Sequence, residues 1–371
     1  MIGFPGLSGP GRTRTWRREW PLFMRIRRRL PLIVAVLVLA AGIALVVVLR
    51  KHAPPEPARL LPGAEGFVYV NLQWMRRADV IGQLPPVRHD PEYDDFIQAT
   101  GFQFERDLEQ AAIAIHYPNP PPENAEPRFS EVFVGRIQGN RLRDYLRKLA
   151  RSVEDYRSAD IYTIPSEGRT LRVAILAVDS VAASNVDDPQ VIRGIIDRSK
   201  KLASPFAGPA LLRRYYRHVP LTSQAWAILR VDPQLGGFPP GPGGWATMLS
   251  QPAVLLASVH YLGALRLKAV AFTTSENQAN SVVDRVNTFL KLMHAAEVSI
   301  GAHAPDPDIK ALLDSLAIEQ QRDRAVLTAD VPRGLIRKLL AEAPAQVTPP
   351  LPQPPPPSSP LPEGSHSPTS K

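Results

Sequence analysis

The sequence predicts an α+β protein in which an N-terminal transmembrane helix is followed by a duplicated sheet-plus-helix module. Three features of the chain lead to this class. A twenty-residue apolar run lies near the N-terminus, short segments alternate apolar and polar residues, and each half of the remaining chain has one long amphipathic helical pattern. With 44% hydrophobic residues in a chain of 371, there is enough apolar material for a core.

The apolar run from Leu30 to Leu49 is the predicted membrane span. Twenty residues at a rise of about 1.5 Å cover the roughly 30 Å hydrocarbon core, and Pro31 falls in the first turn, where its missing N–H is tolerated. Eight arginines precede the run, whereas only Arg50 and Lys51 follow it closely. Because positive charge stays on the cytoplasmic side, we expect a cytoplasmic N-terminus and a periplasmic location for residues 52–371.

A cleaved signal peptide is the alternative interpretation of this segment. Its apolar region would be about 7–15 residues long and would end in a small-x-small site. The run here is longer, and Lys51, His52 and Ala53 followed by two prolines offer no such site. The chain has two possible start residues, Met1 and Met24, since Met24 begins a compact basic segment directly before the span.

The net charge of +9 is confined to the N-terminal segment. Residues 1–51 hold ten of the 44 Lys+Arg and one of the 35 Asp+Glu, so the rest of the chain is balanced. The excess therefore predicts membrane topology and no nucleic-acid partner. The absence of cysteine excludes disulfides, thiolate metal sites and a cysteine nucleophile.

Composition and patterning divide the chain into six segments. They are a basic cytoplasmic tail (1–29), the transmembrane helix (30–49), a stalk rich in Pro and Ala (50–65), a first α+β module (66–205), a second α+β module (206–343) and a Pro-rich tail (344–371). Eleven of the last 28 residues are proline, so we expect that tail to be disordered.

The first module begins with an alternating strand at 67–72 and a helix that Asp90 caps and Gly101 ends. The pattern then predicts strands at 111–117 and 131–138, a helix from Asn140 through Tyr156, strands at 160–165 and 171–178, and a helix opened by Asp188 and Pro189.

The second module repeats this order. Strands are predicted at 225–231, 254–261, 265–273 and 325–330, with helices after a capping box of Ser275 and Gln278, after Asp306, and at 333–342. His116-Tyr117 and His260-Tyr261 end strands in matching places, which is the basis for predicting a duplication.

Five sequence features are candidate sites. His116 and His260 invite a metal pair, but no further ligand lies at metal spacing, so ordinary strand histidines are favoured. The 89–95 segment (His-Asp-Pro-Glu-Tyr-Asp-Asp) resembles an acid/base or metal cluster, yet its residues also suit a helix start, which is favoured.

The other three features also have structural interpretations that are favoured. The glycines of 236–244 lack the Gly-Lys-Ser/Thr ending of a phosphate loop, and the 213–218 segment (Arg-Arg-Tyr-Tyr-Arg-His) suits a solvated helix better than a nucleic-acid patch. The basic face of the helix at 140–157 could touch an anionic membrane, but a solvated face is favoured. We therefore assign no catalytic, cofactor-binding or metal residue, and we expect no cofactor.

The stretch from Asp90 to Leu108, following an anchor and the Pro62-Gly63 opening, carries a resemblance. Its Asp-Pro-Glu-Tyr, Ala-Thr-Gly-Phe and Glu-Arg-Asp-Leu motifs resemble those of uncharacterised bacterial envelope proteins, found notably in acidobacteria. The resemblance covers residues 60–200 best. It implies an N-terminal single-pass anchor and a domain of unknown function, with no reaction or ligand to transfer.

Together these features predict a membrane-anchored exported domain of the bacterial cell envelope that works by binding or scaffolding, with a possible envelope protein partner. An enzyme is the less favoured outcome, because no Gly-x-Ser-x-Gly elbow, His-Glu-x-x-His pair or Walker loop occurs. The alternative function is an envelope ligand-binding protein or hydrolase whose site lies between the two modules.

Overall fold

The computed structural model describes residues 53–77, 89, 91–117, 126–166, 168–200, 208–232, 249–261, 265–299, 307–335 and 338. These residues form two compact units: 53–70 with 110–230, and 71–109 with 231–338. In this part of the chain no helix combines the length and apolarity needed to cross a membrane. The predicted basic tail, the span from Leu30 to Leu49 and the 344–371 tail lie outside the described residues.

The described elements are nine α-helices, of which only α8 is long, and twelve strands. The helices are α1 (Glu56–Leu60), α2 (Leu72–Arg77), α3 (Pro91–Thr100), α4 (Phe104–Asp107), α5 (Gly139–Leu149), α6 (Gln190–Ser199), α7 (Ala210–Tyr215), α8 (Glu276–Ser299) and α9 (Pro307–Ser315). The strands are β1 (Gly66–Asn71), β2 (Leu108–His116), β3 (Arg128–Gly135), β4 (Ser152–Tyr156), β5 (Ala159–Ser166), β6 (Arg169–Ala177), β7 (Ser180–Ser184), β8 (Ala225–Val231), β9 (Ala253–Tyr261), β10 (Leu265–Phe272), β11 (Ala317–Gln321) and β12 (Arg324–Val331).

In the first unit the strands follow the order β8-β1-β2-β3-β7-β6-β5-β4. The strands from β4 to β7 are successive antiparallel neighbours, because short turns join them. On β5, Ile161 and Tyr162 point to opposite faces and both are buried. Leu146 of α5 packs with Tyr162 on one side, and α6, which packs against β6 and β7, covers the other.

In the second unit the strand order is β11-β12-β10-β9, with antiparallel pairing throughout. Helix α8 packs against β11 and β12 through the buried Val282, Val283 and Val286. The predicted Ser275 cap is confirmed, because the Gln278 N–H donates to the Ser275 hydroxyl (3.3 Å). The return bond differs from that of a capping box, since the Gln278 side-chain oxygen accepts from the Thr274 N–H (3.0 Å) and not from the Ser275 N–H.

The predicted duplicated sheet-plus-helix module is wrong. The described chain is dominated by twelve strands, of which seven precede residue 205 and five follow it. Strand β8, expected to open a second module, instead pairs antiparallel with β1 in the first unit, with Val68 opposite Ala227. Alternation identifies a strand but does not specify which strand edge it joins, so the order along the chain misled the prediction.

Two local expectations also change. The helix predicted from Asn140 through Tyr156 ends at Leu149, because Ala150 is extended and residues 152–156 form strand β4. Within the segment assigned to a stalk, residues 56–60 form helix α1, whose Pro57 and Ala58 are buried. The Arg198 guanidinium donates from Nε to the Leu60 carbonyl (2.6 Å) and ties the end of α1 to α6.

Candidate functional site

One face of the central strands of the first unit is apolar and half-buried, and we call it the apolar face. It consists of Val68, Val70, Ala111, Ile113, Phe129, Glu131, Phe133, Ala225, Ala227 and Leu229. Two contacts on the opposite face, combined with alternation along each strand, show which residues of β2 and β3 belong to the apolar face. Tyr69 donates to Gln110 (2.9 Å) and His116 meets Ser130 (3.0 Å), so these four lie on the opposite face.

The opposite face of the same strands is closed. Phe67, Ala112, Val132, Trp226 and Ile228 are buried there, while Gln110, His116 and Val134 towards its ends are half-buried. On the apolar face the ten named residues are half-buried, and Ile115 at its Gly66 end is buried. The contrast matters because an antiparallel sheet with one solvated face normally places polar residues on it. Here both faces are apolar, and the apolar face is the more exposed of the two.

Helix α5 covers a neighbouring part of the same sheet face. Glu131 is opposite Ala183, Ala183 is opposite Val173, and Val173 is opposite Tyr162, which packs on Leu146 of α5. The face is therefore continuous from α5 to the apolar face. Helix α5 lies over β5–β7, whereas the part of this face formed by β3, β2, β1 and β8 remains half-exposed.

Close packing of the backbone shapes one end of the apolar face. A Cβ on Gly66 would lie 2.7 Å from Cδ2 of Leu229 and 3.4 Å from Cβ of Ile115. The Leu229 side chain thus occupies the space over Gly66, and Ile115 beside it is buried. A larger residue at this position would force the Leu229 side chain to move, so glycine allows the two strands to keep this close packing.

Glu131 is the charged member of the apolar face. It lies between Phe129 and Phe133 on β3, opposite Ala183. Among the described residues its carboxylate has no hydrogen-bond or ion-pair partner, and burial raises the pKa of its carboxyl group. A half-buried carboxylate without a partner is costly in the free chain, and pairing with a cation would relieve that cost.

The two histidines weighed as a metal pair have separate surroundings. His116 of the first unit meets Ser130 through Nε2, and Ser130 Oγ lies 3.0 Å from Ser184 Oγ. Burial lowers the pKa of His116, while the nearby Glu65 carboxylate opposes this effect. Ser130 is 0% exposed, so its hydroxyl is a buried structural group rather than an accessible nucleophile. His260 belongs to β9 of the second unit, opposite Arg266, and the described residues contain no metal-binding group of three or more ligands.

Residues 91–95 form a helix start, as favoured from the sequence, while the predicted cap residue Asp90 lies outside the described residues. Helix α3 begins at Pro91, and His89 lies between two carboxylates, with Nδ1 3.2 Å from Asp94 and Nε2 3.3 Å from Glu105. Tyr93 donates to Glu105 (2.9 Å) and accepts from the Phe104 N–H (2.8 Å). Burial, together with Glu105, raises the pKa of Tyr93 to about 12. These contacts tie α3 to α4.

The 213–218 segment is partly a core element. Tyr216 meets Trp226 edge-on at 5.3 Å between ring centroids, and Trp226 stacks on Tyr69 at 5.5 Å. Burial raises the pKa of Tyr216 and of Tyr69, the latter to about 12. The aromatic residues therefore stabilise the unit. The glycines of 236–244 lie outside the described residues.

A small polar cavity of about 90 Å³ opens near α5, which is below the roughly 300 Å³ of ordinary ligand pockets. Its lining residues are Arg143, Ser158, Ala159, Asp160, Tyr162 and Ile175.

The sequence interpretation missed the apolar face. The available signal was the Phe-x-Glu-x-Phe alternation of 129–133, a single charge between two aromatic residues on one strand face.

No family model matches the sequence, and no curated protein matches it. Among solved structures the chain is similar to crystal form I of TP0453, with a TM-score of 0.41 and 10% identity over 78% of this chain and 97% of that chain. Crystal form III of TP0453 gives 0.40 and 9% over 78% and 98%. Similarity at this level assigns no function to this chain.

Proposed function

We propose that this chain is a membrane-anchored, exported binding protein of the bacterial cell envelope, and that its apolar face receives an amphipathic helix of a partner protein. The observation that carries the proposal is the contrast between the two faces of β8, β1, β2 and β3. The central residues of one face are buried, whereas those of the other are half-exposed although nearly all of them are apolar.

The dimensions of the apolar face favour a helix as its occupant. Four strands spaced about 4.8 Å apart span roughly 14 Å, which accommodates one helix of about 10–12 Å diameter. The protein's own α5 already covers the adjoining part of the same sheet face in this way. A partner helix would extend that helical layer.

Charge adds specificity to this proposal. Glu131 lies inside the apolar face between two phenylalanines and has no charged partner among the described residues. A partner helix with a Lys or Arg among its apolar residues would satisfy that carboxylate in a shielded environment. A helix carrying an acidic residue at that position would be rejected, which is how a largely apolar surface becomes selective.

The location rests on the N-terminal sequence. The apolar run from Leu30 to Leu49, preceded by eight arginines, supports an exported location for residues 52–371. The balanced charge of those residues argues against a nucleic-acid partner and favours an envelope protein.

The test is site-specific photocrosslinking in native membranes. A photoreactive amino acid is placed at Ile113 or Phe133 of the apolar face, with Val178, 87% exposed on the β6–β7 turn, as the control. We expect the two face positions to give one common adduct that the control lacks. Mapped contacts on the partner should recur every three or four residues and include a basic residue.

Two outcomes would contradict the proposal. Contacts that alternate every second residue would mean that a strand occupies the face. Equal labelling of the face positions and Val178 would mean that the apolar face has no dedicated partner.

A further inference from the structure

A second surface of the first unit combines exposed basic and apolar side chains, and we call it the basic–apolar patch. It consists of Lys148, Leu149, Arg151 and Val153, at the junction of α5 and β4. Leu149 is 45% exposed and Val153 47% exposed, while Lys148 and Arg151 are also exposed.

The patch lies at one edge of the sheet. Strand β4 is the last strand in the order of its unit. Val153 is opposite Tyr162, so Val153 and Arg151 point to the side of the sheet that α5 covers. The four side chains therefore share the side of the sheet that carries α5.

The position of the patch at the end of α5 explains its basic residues but not its exposed apolar residues. Cations in the last turn of α5 suit the negative end of the helix dipole, and Arg147 there also lies 3.8 Å from Asp160. The dipole does not explain why Leu149 and Val153 face solvent. Nor do Lys148 and Arg151 have a side-chain hydrogen bond or ion pair among the described residues.

Nearby acids do not neutralise the patch. Helix α5 carries four basic residues and one acid, Asp144. On β4, Glu154 points to the other face, where it pairs with Arg193 at 2.6 Å, whereas Asp155 is an exposed acid on the same face as Val153. With Arg151 included, this edge of the sheet keeps an excess of positive charge.

We infer that the basic–apolar patch rests on an anionic membrane surface. Lys148 and Arg151 would meet lipid phosphates, while Leu149 and Val153 enter the boundary between headgroups and acyl chains. Charge complementarity selects this occupant, since exposed leucine and valine gain nothing from a soluble anion. The inference is independent of what binds the apolar face.

The absence of native cysteine makes a direct test possible. The full chain with Leu149→Cys carries one environment-sensitive dye and is bound to vesicles of phosphatidylcholine, with or without phosphatidylglycerol. Vesicle-associated protein is recovered by flotation before measurement. Leu221→Cys, at a position 58% exposed in the turn before β8, is the matched control.

We expect the dye at position 149 to shift to the blue on vesicles with phosphatidylglycerol and to be quenched by spin-labelled acyl chains. High salt should reverse both effects, because the attraction is screened. When Lys148→Glu and Arg151→Glu are added, the equilibrium constant for contact between the patch and the anionic membrane should fall by at least about 30-fold, at roughly fivefold per lost cation. Circular dichroism of each variant verifies folding.

Three results would overturn the inference. They are equal emission at position 149 on both vesicle types, an equal shift at positions 149 and 221, and a shift caused by inorganic phosphate on neutral vesicles. The last result would identify a soluble-anion site instead of a membrane contact.

Discussion

Replacing Glu131 by glutamine is expected to stabilise the protein at neutral pH. Glutamine keeps the shape of the side chain but removes the charge that lies between Phe129 and Phe133. Burial raises the pKa of the Glu131 carboxyl above its ordinary value of 4.5, so ionisation is less favourable in the folded chain than in the unfolded chain. Each unit of raised pKa corresponds to about 1.4 kcal/mol of stability lost at neutral pH.

The sign of the pH dependence follows from proton binding. Between the unfolded and folded pKa values the folded state holds more protons, so the free energy of unfolding falls as pH rises through this window. Above the folded pKa of Glu131 the full penalty is present, and below 4.5 the side chain is neutral in both states. The advantage of Glu131→Gln should therefore be largest at neutral pH and vanish in acid.

The assay is urea unfolding of the full chain in detergent, followed by tryptophan fluorescence at neutral pH and at a pH below 4.5. Glu319→Gln, an exposed position on β11, is the matched control and should change little at either pH. The reasoning fails if Glu131→Gln lowers stability at neutral pH, or if its effect is the same at both pH values. If Glu131 serves recognition, the same variant should also give less of the Ile113 crosslinked adduct.

Three further predictions use the same chain. Leu146→Ala, at a core position 5% exposed, should lower the free energy of unfolding by about 2–5 kcal/mol in urea, whereas the exposed Leu149→Ala should cost under about 0.5 kcal/mol. Ser130→Ala removes one partner of the buried Ser184, which keeps its bonds to the Phe129 carbonyl and the Val186 N–H, so the variant should cost about 0.5–1.5 kcal/mol, and a neutral result would show that the chain tolerates the loss. Alkaline phosphatase fused after residue 343 should be active in cells. An inactive phosphatase fusion, together with a fluorescent-protein fusion at the same position that is fluorescent in the cytoplasm, would mean that the topology is reversed.

Strands with strong alternation could be predicted from the sequence, because each buries apolar side chains at every second position. The segment 225–231 matches β8 at both ends, and 254–261 differs from β9 by one residue. The capping residues around Ser275 also placed the start of α8 correctly, since cap chemistry is local.

Pairing between distant strands could not be predicted in the same way. The pattern of β1 is apolar on both faces, through Phe67 and Tyr69 on one side and Val68 and Val70 on the other. Such a strand does not reveal which face the rest of the chain will cover. The apolar face and Glu131 emerge only when β8, β1, β2 and β3 are brought side by side.

Strand β4 was mistaken for helix because its turn contains no glycine. Val153 and Tyr156 continue the helical spacing of α5, and the two-residue turn to β5 is Arg157-Ser158, with φ of 52° and 60°. Both values lie in the left-handed region, where Asn-Gly is the usual sequence of such a hairpin. The pairing of Tyr156 with Ala159 holds this turn in place.

Ser158→Gly tests whether that turn stores backbone strain. Removing the Cβ at φ 60° should raise the free energy of unfolding by about 0.5–1 kcal/mol, while Arg157 keeps its 2.9 Å ion pair with Asp197. Gly168→Ala is the converse control: its φ is +74° and no atom would lie within 4 Å of the new Cβ, so a loss of about 1 kcal/mol would report backbone conformation alone. Opposite signs for the two variants in urea unfolding are expected. A shared sign would mean that the β4–β5 turn is held by its side-chain contacts, and that left-handed backbone at Ser158 carries no measurable cost.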